Sequence, residues 1–389
     1  MNISPSKAQR YHARLAVFAI FFVNGAGFAT WIPHIPYVQQ KFGLSEAMLG
    51  LTLLAIAIGA IVAMPLAGGL VEKWGSKRVT TLTSFAFCAV LPSLMWIDYF
   101  PLFVFNLFLL GAFGGSMDVA MNAHGVYLEQ QYDKPIMSAF HGLFSTGGLV
   151  GAGLAAGLLA GDWTPAQHMG VVVVALFMLT LIAVRYLLPP PPRAVQDEAD
   201  DAPLFALPTQ GPVITLAFLA FFVLMAEGAM ADWTAVYLKT LPKVDAALAA
   251  VGFAAFSLTM AAGRLAGDRV VSALGRVQVV RWGSTIAAAG VAVAALSAQP
   301  YVAIAGFALV GIGLSNVIPI IFSAAGYLSP HEPGRGIASV TTAGYFGFLA
   351  GPPLIGFLAE GISLAGSLQV LAASLLMVAV AAKLVQKQS

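Results

Sequence analysis

Charged side chains are scarce in this sequence. Asp, Glu, Lys and Arg make up 9% of its 389 residues, whereas apolar residues make up 59%. A soluble globular chain carries about 25% charged residues, so this composition excludes an ordinary soluble domain. The formal net charge is only +2. The sequence therefore has no strongly basic region of the kind that would indicate binding to nucleic acid.

Cysteine is almost absent as well, since Cys88 is the single thiol of the chain. One cysteine excludes a disulfide framework and a zinc cluster built on thiolates. The sequence also lacks the glycine-rich ATP-binding loop, the His-Glu-x-x-His metal motif and the Gly-x-Ser-x-Gly elbow of hydrolases. We therefore expect no cofactor, no bound metal and no enzymatic activity.

Long uncharged runs make up most of the chain, and a helix needs about 20 apolar residues to cross about 30 Å of hydrocarbon. The run 282–331 is 50 residues long and contains a turn signal at Gln299-Pro300, so we count it as two spans. A backbone in lipid must satisfy its own hydrogen bonds, which predicts an all-α integral membrane protein with twelve transmembrane helices. The predicted spans are 13–36, 46–70, 78–97, 101–128, 137–161, 167–188, 212–240, 247–270, 277–297, 301–327, 335–359 and 363–384.

The distribution of Lys and Arg predicts the orientation of these spans. With the N-terminus inside, only Lys41, Lys239 and Lys243 fall on the outer side, and the other sixteen of nineteen basic residues fall inside. Because cytoplasmic loops carry the excess of basic residues, we expect both termini in the cytoplasm. The predicted location is the inner, plasma membrane of a bacterium, as a multi-pass protein.

The segment 189–211 is the one long polar interruption, and it opens with four prolines. We interpret it as a cytoplasmic linker between an N-terminal six-helix bundle, 1–188, and a C-terminal one, 212–389. The halves resemble each other at an offset of about 200, as in Phe21-Phe22-Val23 and Phe221-Phe222-Val223. Repeats of this kind predict two pseudo-symmetric bundles, a solute site near the midplane and alternating access.

The loop predicted after span 2 resembles the loop signature of the major facilitator superfamily, Gly-x-Leu-x-Asp-Arg-x-Gly-Arg-Lys. Its matching residues are Gly68, Glu72, Lys73, Gly75, Lys77 and Arg78. A degenerate copy after span 8 contains Arg264, Asp268 and Arg269. The resemblance implies the twelve-helix transporter fold and a monomer. From the charges we interpret both segments as gating latches, and the alternative is a basic inner loop that only sets topology.

Two short stretches resemble the fucose–proton symporter branch of that superfamily and its YbjJ-type bacterial relatives. Pro36 to Phe42 is similar to the branch's Pro-x-Phe-Gln-Gln-x-Phe, and Met117 to Asn122 is similar to its Leu-Glu-Thr-Ala-Ala-Asn. The resemblance implies a proton-carrying acid at Asp118. The branch's second acid, in span 1, has no counterpart here, because the matching place lies near Trp31 and Ile32. This departure leaves the solute open.

The candidate proton-coupling residues are Asp118 and Glu227, two acids in the interior of predicted spans, and His141, which lies in span 5 shortly after the preceding inner loop. A bare charge in the interior of a span costs about 2.5–3.5 kcal/mol, which favours a partner, a water-filled cavity or protonation of Asp118. His141 could relay protons or donate a neutral hydrogen bond. Glu227 is the deeper of two acids in span 7 and is expected to face the cavity. For Asp118, the alternative is an acid fixed in a structural hydrogen bond.

Candidate solute-binding residues are amides, aromatics and one further acid. Amides bond hydroxyl groups in both directions, and aromatic faces stack on sugar rings. The candidates are Asn24, Trp31, Asn122, Asp232, Trp233, Asn316 and Tyr345. Helix packing explains the uncharged residues of spans 1, 10 and 11 equally well. Asn122 could instead cap a neighbouring helix, and Asp232 could pair with an outer-side lysine such as Lys239.

The sequence thus predicts a secondary active transporter of a small polar solute, for example a sugar, that is coupled to protons by rocker-switch alternating access. Its expected partners are the solute, protons and the lipid bilayer. A drug or metabolite exporter of the same fold is the first alternative, and a membrane sensor that does not transport is the second.

Overall fold

The computed structural model describes residues 6–44, 46–132, 134–160, 163–189, 211–242, 244, 246–330 and 332–386. All regular structure within these residues is helical. The predicted linker 189–211 lies outside the described residues except for Pro189 and Gly211 at its ends.

Thirteen α-helices follow one another through the described residues, with short 3-10 turns at Ile32–His34 and Ala381–Val385. By length and composition, nine helical segments of the described chain could cross a membrane. The helices are α1 Lys7–Trp31, α2 Ile35–Phe42, α3 Glu46–Trp74, α4 Ser76–Trp96, α5 Phe100–Glu129, α6 Met137–Ala160, α7 Pro165–Tyr186, α8 Gly211–Lys239, α9 Ala246–Leu274, α10 Arg276–Leu296, α11 Pro300–Leu314, α12 Val317–Leu328 and α13 Pro333–Val380.

The chain divides into two compact units that exchange short segments of sequence. Unit 1 comprises Met1–Asp133, Leu143–Leu207 and His331–Ala338. Unit 2 comprises Lys134–Gly142, Pro208–Pro330 and Ser339–Ser389. The beginning of α13 thus belongs to unit 1 and its remainder to unit 2. The beginning of α6 belongs to unit 2 and its remainder to unit 1.

An internal repeat of 200 residues is visible in the helix boundaries. Both α3 and α9 end one residue before a glycine, and α4 and α10 begin one residue after it. These glycines, Gly75 and Gly275, have φ values of 81° and 80°. Glycine reaches this region without the steric cost that a side chain would add, which explains why it occupies both turns.

Close helix contacts also recur at this offset. In unit 1, a methyl group on Gly147 of α6 would overlap the backbone carbonyl of Phe22 in α1. In unit 2, one on Gly347 of α13 would overlap the carbonyl of Phe221 in α8. Small residues permit such close approach between helices in a membrane, where packing and not water exclusion holds helices together.

Four predicted spans differ from the observed helices, either by an interruption within the span or by the absence of a loop between two spans. Pro36 has no N–H for the carbonyl of Ile32, which instead accepts from the N–H of Ile35, so span 1 contains a 3-10 turn between α1 and α2. Span 10 is interrupted between α11 and α12. Spans 11 and 12 follow each other without a loop in α13, which consists of two helical segments joined by a kink at the non-helical residue Ser363, at φ 75°.

The two segments predicted as gating loops lie almost wholly within helices. Gly68, Glu72 and Lys73 belong to α3, and Lys77 and Arg78 begin α4, which leaves Gly75 as the turn. The copy predicted to follow span 8 lies inside α9, because that helix continues to Leu274 before Gly275 ends it. The predicted end of span 8, at 270, is therefore four residues short.

Candidate functional site

Asp118 lies in the interior of α5 and is 7% exposed. Its carboxylate accepts a hydrogen bond from the amide of Asn122, with Nδ2 3.1 Å from Oδ1. The same amide donates to the backbone carbonyl of Asp118 at 2.9 Å. Asn122 is one turn further along α5, so the helix itself positions this pair. Among the described residues, Asp118 forms no ion pair.

Two residues predicted in span 1, Asn24 and Trp31, also pack against α5 within unit 1. Asn24 is fully buried and donates from Nδ2 to the carbonyl of Gly114 at 3.3 Å. Gly114 is one turn before Asp118, so Asn24 contacts α5 close to the carboxylate. The Oδ1 atom of Asn24 is buried and has no hydrogen-bond partner within the described part of the chain. Trp31 is buried with its ring centroid 6.2 Å from that of Phe103.

Glu227, the predicted acid of span 7, forms an ion pair in unit 2. The Nη2 atom of Arg264 lies 3.2 Å from Oε1 and 3.1 Å from Oε2 of Glu227. Both side chains are largely buried, at 9% exposure for Arg264 and 15% for Glu227. An isolated charge in such surroundings is costly, and pairing removes much of that cost.

Arg264 also compensates for the break between α11 and α12. A helix would pair the carbonyl of Ser315 with the N–H four residues on, but that residue is Pro319, which has none. Arg264 Nε donates to this carbonyl at 3.4 Å. Asn316 donates from Nδ2 to the carbonyl of Gly263 at 3.1 Å, which ties the break to α9. Its Oδ1 is buried without a hydrogen-bond partner among the described residues.

The remaining predicted site residues of unit 2, one for proton coupling and three for solute binding, differ in exposure. His141, in α6, is buried with its ring centroid 5.8 Å from that of Phe322. Asp232 is exposed, whereas Trp233 and Tyr345 are half-buried. None of these three solute-binding candidates is buried.

The hydrogen bonds of unit 2 instead join four other residues in one cluster, which are Glu227, Arg264, Ser315 and Asn316.

Each unit uses an acid to cap the first turn of a helix. In unit 1, Glu72 Oε1 accepts from the N–H of Gly334 at 2.5 Å, at the start of α13. In unit 2, Asp268 Oδ1 accepts from the N–H of Ala139 at 3.0 Å, at the start of α6. Negative charge is favourable at a helix N-terminus, where N–H groups lack helical partners. Both bonds join the two halves of the sequence.

The basic residues of the two latch segments have other placements. Lys77 Nζ donates to the carbonyl of Leu187 at 2.6 Å, just after the end of α7. The guanidinium of Arg78 lies 5.4 Å from the ring centroid of Trp74. Lys73 is half-buried and Arg269 is exposed.

A pair of buried histidines was missed by the sequence analysis. His34 Nε2 lies 2.7 Å from His168 Nδ1, and both residues belong to unit 1. A usable signal exists, because Pro33 and Pro36 bracket His34 and predict a break there. No local pattern, however, predicts that two residues 134 positions apart meet.

These observations define a class of protein: a polytopic helical membrane protein built from two repeated halves with charged residues inside its helices. The model of the Major Facilitator Superfamily matches residues 17–266. An uncharacterised MFS-type transporter of Yersinia pestis is 41% identical over 385 residues, which cover 99% of this chain and 98% of the relative. The chain belongs to the major facilitator superfamily, a family of membrane transporters, as its loop signature predicted.

A second relative, the membrane protein MosC of Rhizobium meliloti, is 34% identical over 91% of this chain and 85% of its own length. Among solved structures, the transporter FucP has a TM-score of 0.79 at 18% identity, covering 98% of this chain and 100% of FucP. The proton:xylose symporter XylE has a TM-score of 0.73 at 13% identity, covering 97% and 95%. These likenesses confirm the predicted fold of twelve transmembrane helices in two pseudo-symmetric bundles.

Proposed function

We propose that this protein is a secondary active transporter that couples the movement of a small polar solute to protons, with Asp118 as the proton carrier. The observation that carries the proposal is a buried membrane carboxylate without a cationic partner among the described residues. Asp118 can gain a proton without leaving an unpaired positive charge behind. Protonation would also change the bond with Asn122, since a carboxylate only accepts hydrogen bonds and a carboxylic acid also donates one.

Glu227 is a less suitable proton carrier than Asp118. Neutralising Glu227 would leave Arg264 buried beside an uncharged partner, and a buried charge without compensation is strongly unfavourable. We therefore assign the Glu227–Arg264 pair to holding α8, α9 and the break at Ser315 together. His141, which lies in the first turns of α6, stays a candidate for relaying protons.

The two helix caps are the proposed gating contacts. Glu72 and Asp268 each bind the N-terminus of a helix from the other half of the sequence. In a rocker-switch cycle these bonds would form in one state and break in the other. The proposed setting is a bacterial inner membrane with both termini in the cytoplasm, because basic residues concentrate on that side.

The solute class is proposed from the two amides that lie near Asp118. The side-chain carbonyl of Asn24 is buried without a hydrogen-bond partner in the described part of the chain, and Asn122 contacts the carboxylate directly. A hydroxyl group can donate to a carbonyl or carboxylate oxygen and can accept from an amide N–H, so sugars and polyols are the first candidates. Two proteins of similar fold are named as fucose:proton and proton:xylose symporters, which makes fucose and xylose suitable first probes.

The test is uphill transport by purified protein in liposomes that contain a pH-sensitive dye. A thermal-shift screen of sugars, polyols and organic acids would first identify a ligand. We expect wild type to accumulate that solute and to move protons with it. Asp118→Asn should lose accumulation and proton movement while retaining exchange of labelled for unlabelled solute. Glu360→Gln, which changes an exposed acid of α13, should behave as wild type.

Unchanged accumulation by Asp118→Asn would remove this residue from the mechanism. Solute binding without flux or exchange in wild type would instead favour the membrane sensor. Net movement of drug-like compounds, with no response to sugars or polyols, would favour the exporter.

A further inference from the structure

His34 and His168 form a buried pair of imidazoles in unit 1. Their side chains are 1% and 0% exposed, and the nitrogens in contact are 2.7 Å apart. The ring centroids are 4.9 Å apart, with the planes inclined by 48°. One ring must therefore supply a hydrogen to the other, because two bare nitrogens at this distance would repel each other.

Both histidines lie where a helix begins or is interrupted. His34 closes the 3-10 turn Ile32–His34 between α1 and α2. His168 lies in the first turn of α7, which Thr164 and Gln167 fix through a capping box. The hydrogen bond thus connects the interruption in the first span to the start of α7.

The histidine pair has a nitrogen that can bind a further proton. His168 Nε2 is buried and has no hydrogen-bond partner among the described residues. If His168 Nδ1 carries the shared hydrogen, Nε2 is a bare basic nitrogen that can take up a proton. With one added proton the rings still share a hydrogen, now in a charge-assisted bond. With two, each ring is a cation and neither contact nitrogen can accept.

Few other charges lie at this end of unit 1. Helices α1 and α7 pack against each other and against α4, and α1 also packs against α5. Within the described residues, the titratable groups at the corresponding ends of these helices and on α2 are Tyr37, Lys41, Asp98 and Tyr99. Lys41 is paired with Asp98 at 2.8 Å, and both tyrosines are exposed. Asp162, six residues before His168, lies outside the described residues.

We propose that His34 and His168 form a proton-binding lock, separate from Asp118, that holds α7 against the interruption in the first span while one hydrogen is shared and releases it when both rings are protonated. The lock belongs to a single unit. Its operation needs neither solute nor Asp118, so it stands or fails independently of the proposed transport.

Hydrogen–deuterium exchange of the purified full-length protein, corrected for intrinsic rates, measures opening directly. In wild type we expect exchange in segments 28–42 and 163–176 to rise together, by at least about threefold, between pH 7.5 and pH 5.0. The matched variant is His34→Gln with His168→Asn. Its amide groups replace Nε2 and Nδ1, so the hydrogen bond can persist without titrating. This variant should show no rise at pH 5.0.

Two control variants and one internal reference separate the lock from general acid effects. His12→Gln changes an exposed histidine of α1 and should retain the wild-type rise. Asp162→Asn should do so too, and α10, in unit 2, should exchange equally at both pH values. Equal exchange of the two segments in wild type at pH 7.5 and pH 5.0 would overturn the proposal. A rise of wild-type size in the Gln/Asn variant would do the same, because it would show that other groups open this region.

Discussion

The two halves of this protein share a backbone design but differ in the polar groups that they bury. Gly75 and Gly275 occupy equivalent turns, and Gly147 and Gly347 make equivalent contacts with a neighbouring helix. The buried charges do not follow the repeat, since Glu227 is paired with Arg264 whereas Asp118 is bonded to Asn122. The shared glycines therefore serve helix turns and helix packing, whereas the buried acids that differ between the halves are the candidates for a functional role.

This difference suggests a division of work between the units. In unit 2, opposite charges compensate each other and support an interrupted helix. In unit 1, an acid and two imidazoles are buried without an opposite charge among the described residues, so their protonation can change without uncovering another ion. Such groups suit proton coupling, because a carrier's acid must exist in both forms during the cycle.

Breaking the ion pair of unit 2 should give the largest effect on stability. Arg264→Met would leave Glu227 buried without its cation, and losing one partner of a buried pair costs about 3–5 kcal/mol. We expect a large fall in the thermal unfolding midpoint. The double variant with Glu227→Leu should recover much of this loss, since it removes both charges. A double variant as unstable as Arg264→Met would show that the arginine acts mainly through contacts other than Glu227, such as the one with Ser315.

The equivalent glycine contacts should respond alike in both halves. Gly147→Ala and Gly347→Ala each place a methyl group against a backbone carbonyl that cannot move alone. Overpacking of this kind costs about 1–3 kcal/mol. Gly148→Ala is the matched control, since no atom of the described residues lies within 4 Å of a methyl group there. In a helix that change should be neutral or slightly stabilising. Unequal effects at Gly147 and Gly347 in thermal unfolding would limit the structural repeat to the helix boundaries.

Composition and hydrophobic run length were sufficient to predict the helical membrane fold, and matching residues about 200 positions apart predicted its repeat. The interruptions were harder to predict, although Pro36 and Pro319 each remove one backbone donor that the preceding turn requires. Run length does not register a missing hydrogen bond, and the span predicted as 301–327 appeared continuous for that reason. The boundary predicted between spans 11 and 12, at 359–363, coincides with the kink of α13 at Ser363. No signal in the sequence indicated that the two helical segments follow each other without a loop.

The partners of buried groups were the least predictable feature. Helical spacing placed Asn122 beside Asp118, because both lie on one helix. The partner of Glu227 lies 37 residues away, on a segment that the loop signature had marked for another role. The histidine pair has no counterpart in local sequence, because a contact between distant helices depends on their packing and not on spacing within either helix.

The smallest expected effect tests how each half satisfies the end of an equivalent helix. The carbonyl of Met95, near the end of α4, accepts from Lys41 Nζ at 3.1 Å. The equivalent carbonyl of Ala295 in α10 accepts from the hydroxyl of Tyr237 at 3.0 Å. The last carbonyls of a helix have no partner within it, so a side chain that reaches them stabilises its end.

Tyr237→Phe should therefore cost about 0.5–1.5 kcal/mol in thermal unfolding, the usual contribution of one buried hydrogen bond. Tyr37, the residue 200 positions earlier, is 40% exposed and donates no hydrogen bond within the described residues. Its change to Phe is the matched control and should leave the unfolding midpoint unchanged. If both variants lose the same stability, the ring environment and not the bond to Ala295 is responsible. Loss from Tyr237→Phe alone would show that the two halves satisfy the same carbonyl with different side chains, lysine in one and tyrosine in the other.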